Sequence, residues 1–234
     1  MSITDLERDL TGYVNDYVAG ESEALLEGLS MVARPVNFRS LLTQITSDKT
    51  LLGDVASRSV WHPNGFAKIV LLSLPRYNLR LHIWRNVPGQ RPGPENIHNH
   101  RWDFATTLLA GGYCHQEFRP APSGEEYFAY TYRPAAGLGY SLDPLGIKAL
   151  RCVFNAHLAQ GSRYTISSDV LHRVVPDLSE PTASLVLQGP HLPSRVEVFA
   201  TQEVGRVGSV QLAELSPDFL LGHMKEILAL PVFA

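Results

Sequence analysis

The feature that most constrains this chain is its punctuation. From about Ser59 to Thr201, short β-rich runs follow one another, each broken off by glycine or proline. Among them are FAKIVLLSL, LRLHIW, FATTLLAGGY, YFAYTYRP, LRCVFNA, RYTI, ASLVLQ and RVEVFA. No helical pattern alternates with them, so a regular strand-helix-strand parallel sheet is excluded and a sandwich or barrel is predicted. The flanks read differently. In TDLE, Thr4 to Glu7, a capping box opens a helix whose apolar stripe is Leu6, Leu10 and Val14. Helical runs follow at SEALLEGLSMVA and NFRSLLTQI. Near the C-terminus, Ser216 and Pro217 supply an N-cap and a first-turn proline, and Pro231 a stop. The expected organisation is mainly β with flanking helices, in one structural domain. A helical segment spans 1–57, a β-barrel 58–203, and a second helical segment 204–234.

Composition narrows the function classes. A chain of 234 residues, 44% hydrophobic, can bury a full core. With 20 basic against 23 acidic residues the net charge is −3, and no basic run is interleaved with aromatics. Nucleic acid and acidic membrane surfaces are therefore not the expected partners. MSITDLERDL lacks a basic-then-apolar leader, and no apolar run approaches the ~20 residues of a membrane helix. Two cysteines, Cys114 and Cys152, are too few for a disulfide framework, so the expected setting is cytoplasmic. Buried free thiols are expected, although the two would pair if their strands were neighbours.

Within ENIHNHRWDF, His98 and His100 stand one residue apart. On an extended strand, such residues face the same side, so the pair is either a metal clamp or an accident of a polar strand. A third ligand decides between them. Trp102 has the same parity and is a candidate for the same face. Arg80, His82 and Trp84 alternate with Leu79, Leu81 and Ile83. The leucine row is expected to fill the core, leaving the polar row outside or under the N-terminal helices. With the opposite facing, Arg80 would clamp a substrate carboxylate. His115 and Glu117 share a face and read as an alternative ligand, an acid–base pair or a surface cross-strand pair. The loop NVPGQRPGPEN reads as a mobile or rim-forming connection.

After His100 the chain runs into LLAGGY, and later GSRYTISSDVLHRVV carries a glycine, a strand, a turn at Ser168 and Asp169, and His172. These segments resemble the two motifs of the cupin superfamily, a double-sheet jelly roll with an interior cavity. The order LRLHIW, IHNH, LLAGGY, LHRVV, ASLVLQGP most resembles its cysteine dioxygenase-like branch. That resemblance implies His98, His100 and His172 on a mononuclear Fe(II), with positions open for a small-molecule substrate and O2. It also makes Tyr164 and Gln188 candidates for the pocket. The cupin acidic ligand is replaced by Ala105, and Asp103 is expected to orient a ligand imidazole or to replace that acid. The branch's serine-histidine-tyrosine row reads Ser184, Val186 and Gln188, which disfavours cysteine as substrate. In the second motif Ser167, Asp169 and Pro176 replace the usual proline, glycine and asparagine.

The expected function is a non-haem Fe(II) dioxygenase acting on a small polar or anionic metabolite. A Zn, Ni or Mn cupin isomerase or lyase, or a non-catalytic ligand-binding cupin, are the alternatives. The long stretch between the motifs would form a lid or add a hairpin. The resemblance also implies a homodimer, with the apolar residues of the last helix packing within the chain or on a second subunit.

Overall fold

The computed structural model describes residues 1–85, 95–204 and 207–230. Four helices come first: α1 (Ile3–Val18), α2 (Ala24–Val32), α3 (Pro35–Ser47) and α4 (Lys49–Ser57). The capping box of α1 uses Ser2 and Asp5, two residues ahead of the TDLE box expected from the sequence. The earlier start brings Ile3 into the stripe of Leu6, Leu10 and Val14, where it packs on the core. Asp48 caps α4 by accepting hydrogen bonds from the backbone N–H groups of Thr50 and Leu51.

Twelve strands follow: β1 (Val60–His62), β2 (Phe66–Leu74), β3 (Tyr77–Trp84), β4 (Ile97–His98), β5 (Phe104–Ala110), β6 (Gly112–Pro134), β7 (Gly139–Ala159), β8 (Arg163–Ile166), β9 (Leu171–Pro176), β10 (Thr182–Gln188), β11 (Glu197–Ala200) and β12 (Val207–Gln211). One six-stranded sheet runs β1-β2-β3-β10-β5-β8 and the other β11-β4-β9-β6-β7-β12, with every pairing antiparallel. This is the double-stranded β-helix, or cupin-type jelly roll. Gly111, at φ +63°, makes the break between β5 and β6.

The main core lies outside the sheets' interior. Leu6, Leu10, Leu25, Leu29 and Phe38 of the helices pack on Leu79, Leu81, Ile83, Leu185 and Leu187 of the first sheet. The leucine row of β3 thus faces the helices, and Arg80, His82 and Trp84 face the interior cavity. This corrects the expected placement of the polar row outside the barrel or under the helices. The helical layer covers the sheet's outer face with apolar side chains, so β3 is enclosed on both sides and its polar row has only the inside left to it.

The stretch between the motifs becomes the β6–β7 hairpin, whose strands are 23 and 21 residues long. Cys114 lies opposite His157 and Cys152 opposite Phe118, so the cysteines are not neighbours and both are free. Cys114 is half-buried and Cys152 exposed, against the expected buried pair; among the described residues no layer covers β7 at 151–155. The last helix, α5 (Pro217–Leu228), is capped by Ser216 as expected, and Leu220, Met224 and Ile227 enter the main core of the same chain. Residues 86–94 of the glycine-proline loop and Pro231 lie outside the described residues. No helix among the described residues is long and apolar enough to cross a membrane.

Candidate metal centre

His98 ends β4 directly opposite His172 of β9, so strand register alone brings two imidazoles together. His100 follows beyond the strand, held by its N–H to the carbonyl of Ser168, 3.1 Å away. Between the two histidines, the Asn99 amide ties this segment to the carbonyl of Arg195 and the N–H of Glu197. The three rings lie with centroids 4.8 to 5.1 Å apart, and their candidate ligand atoms all fall within 4.8 Å of one another.

The hydrogen bonds of the rings decide which nitrogen is free. Nδ1 of His98 is 2.8 Å from the carbonyl of Asn96, and Nδ1 of His172 is 3.0 Å from the carbonyl of Val170. A carbonyl only accepts, so each Nδ1 carries the proton and each Nε2 presents its lone pair. Burial lowers the pKa of His98, and lowers those of His100 and His172 well below the ordinary value, with neighbouring imidazoles adding to the last two. Neutral imidazoles with free Nε2 atoms are what a divalent transition metal requires. The donor set therefore fits a metal ion.

Around this cluster, between the two sheets, lies a cavity of about 240 Å³. Arg80, His82, Trp102 and Tyr164, singled out in the sequence, line it. Trp102 stacks on His100, with centroids 5.1 Å apart, and the Arg80 guanidinium lies 5.1 Å from the centre of the Trp102 ring. Lys68 and Glu95 also line the cavity and were not read from the sequence. Lys68 sits in an otherwise apolar run, and Glu95 at the end of a glycine-proline loop. Lys68 stands opposite His82 of the polar row, a pairing that only the strand register reveals. Burial pushes Glu95 up to about 8, and it accepts hydrogen bonds from the N–H of Val174 and, at 3.5 Å, the amide of Asn64.

Asp103 is placed elsewhere. His100, Arg101, Trp102 and Phe104 line the cavity, and Asp103 does not. Its carboxylate accepts from the hydroxyl of Tyr17 on α1 and, at 2.6 Å, from the N–H of Ser168. It touches no imidazole; the Asn96 and Val170 carbonyls do the orienting. Gln188 does not line the cavity either, because its amide oxygen accepts from Asn78 at 3.1 Å. His115 and Glu117 lie behind the cluster. His115 is buried against His172, with centroids 5.9 Å apart, and its Nε2 is 3.3 Å from the half-buried Glu117, so the pair runs from the interior toward the surface.

No protein-family model and no curated protein sequence matches the chain. Three solved structures illustrate the structural likenesses found. A Klebsiella pneumoniae protein with a double-stranded β-helix domain is 13% identical over 59% of this chain and 81% of its own, with a TM-score of 0.32. Hydroxypropylphosphonic acid epoxidase from S. wedmorenis is 11% identical over 53% of this chain and 50% of its own, at 0.31. The polyketide cyclase RemF from Streptomyces resistomycificus is 12% identical over 76% of this chain and 90% of its own, at 0.35. At such scores no activity passes from these proteins to this chain.

Proposed function

We propose that the protein is a metal-dependent oxygenase of the cupin type, in which His98, His100 and His172 hold Fe(II) and a small anionic metabolite is oxidised by O2. The observation that carries this reading is the preset tautomer of His98 and His172, each with Nδ1–H tied to a backbone carbonyl and Nε2 left free. When bound, the iron supplies a Lewis-acidic, redox-active centre for the reaction of O2 with the substrate. Three neutral imidazoles leave a dication's charge uncompensated, which favours an anionic or chelating substrate. Phe104, Val186 and Trp102 line the space beside the cluster with largely apolar surface. Val186 stands where the cysteine dioxygenase row has a histidine, so the resemblance to that branch covers the proposed metal ligands and not its substrate.

The test is metal content after chelator-free purification in low oxygen, comparing wild type with His172→Ala at matched circular dichroism. We expect about one equivalent of iron in wild type and less than about a tenth in the variant. Oxygen uptake with a panel of small acids then follows. Glu95 favours a second reading: a buried carboxyl poised at about 8 suits proton transfer next to a Zn, Ni or Mn centre in an isomerase or lyase. Stoichiometric zinc, nickel or manganese would select it, and absence of metal would leave a ligand-binding protein.

A further inference from the structure

Three successive inward side chains of β3 each leave a fully buried nitrogen without a partner among the described residues: Nε of Arg80, Nε2 of His82 and Nε1 of Trp84. Such groups cost stability when unpaired, and structures seldom keep three in a row. No carboxylate answers Arg80 among the described residues; its guanidinium lies over the face of Trp102, with the Tyr132 hydroxyl group as a further neighbour. On the neighbouring strand Lys68 lies opposite His82 and shares this face, likewise without an ion pair among the described residues. Burial and the nearby Arg80 charge pull Lys68 down to about 8, as expected for a cation held with no anion beside it. Glu95, the acid lining the same cavity, is pushed up to about 8 and so stays largely protonated at neutral pH. The wall facing the histidines therefore carries positive charge and idle hydrogen-bond donors.

We propose that Arg80 and Lys68, with the indole N–H of Trp84, form an oxyanion-binding wall across the cavity from the three histidines. The substrate is then a small acid with two anionic ends, one meeting the histidine side and one, a carboxylate or phosphoryl group, held by this wall. Arg80 presents a planar fork of donors to an oxyanion, and Lys68 adds a point charge beside it. Because the wall and the histidines share one cavity, the substrate class rests on reading that cavity as the reaction site, whatever the metal.

The experiment uses the full chain after chelator treatment, so that metal plays no part. Thermal melts and calorimetric titrations with succinate, phosphonoacetate and neutral succinamide are run on wild type, Arg80→Met, Arg80→Lys and His172→Ala. We expect succinate or phosphonoacetate to raise the melting temperature of wild type and of His172→Ala, with succinamide inert. The tighter of the two acids tells carboxylate from phosphoryl recognition. Arg80→Met should melt higher than wild type without ligand, since it removes an unpaired buried cation, yet bind the acid at least about tenfold more weakly. Arg80→Lys should recover part of that affinity. A purely structural Arg80 gives the opposite pattern, in which Arg80→Met melts lower without ligand and binds the acids as wild type does. That result, or acids that bind no better than succinamide, overturns the proposal. A protein that binds the acids through Arg80 but holds no metal would sink the oxygenase reading and leave the wall standing.

Discussion

At the scale of single residues, function in this molecule is written in groups that the fold strains to accommodate. Glu95 is the plainest. Its pKa is raised by burial from the ordinary carboxyl range to about 8, so folding favours its protonated form. Stability from this group is complete below about pH 4 and is lost as pH rises through about 8. Wild type should therefore lose stability relative to Glu95→Gln between pH 5 and 8, on the order of a few kcal/mol. Urea melts of both proteins at the two pH values measure it, and parallel curves would refute the buried-acid assignment. Neither Glu95 nor Lys68 was legible in the sequence, because a lone charge at a loop end or in an apolar run gives no periodic signal. The histidine pair was legible from its spacing, whereas His172 came from a resemblance and needed strand register to bring it opposite His98.

At the scale of elements, short ties from the helical layer set the cluster's geometry. Asp103 links Tyr17 of α1 to the N–H of Ser168, and the carbonyl of Ser168 holds the N–H of His100. Asp103→Ala should cost about 1–3 kcal/mol in chemical denaturation and also weaken metal retention, although Asp103 touches no ligand ring. A variant that keeps its metal at wild-type affinity would show that this tie serves stability alone. Gly111 is the other sensitive joint. Its φ of +63° and the carbonyl of Pro181, 2.8 Å from where a Cβ would stand, leave no room for a side chain. Gly111→Ala should destabilise by about 2 kcal/mol or more, read from the urea midpoint. Several elements were readable residue for residue: β2 at Phe66–Leu74, β8 at Arg163–Ile166 and the Ser216 cap of α5. Strands β1 and β4, three and two residues long, are too short to show a period.

At the scale of the whole molecule, an alternating strand such as β3 reveals which residues share a face but not which face looks inward. That choice is made by a helical layer whose residues are distant in sequence, and it turned the polar row of β3 toward the cavity. The same layer makes helices and sheets interdependent. Removing residues 1–57 would bare Leu79, Leu81, Ile83, Leu185 and Leu187. The truncated chain is expected in the insoluble fraction, and a soluble, monomeric product on gel filtration would show that the barrel stands alone. The main core also lies on the far side of the first sheet from the histidine cluster, which belongs to the second sheet and its approach. Folding is thus driven at one place and the proposed metal site prepared at another. A chain built this way completes itself first and is loaded afterwards, so a chelator should empty it without unfolding it. On the proposed function, the supply of ions in its surroundings, rather than its assembly, then governs how much of it is active.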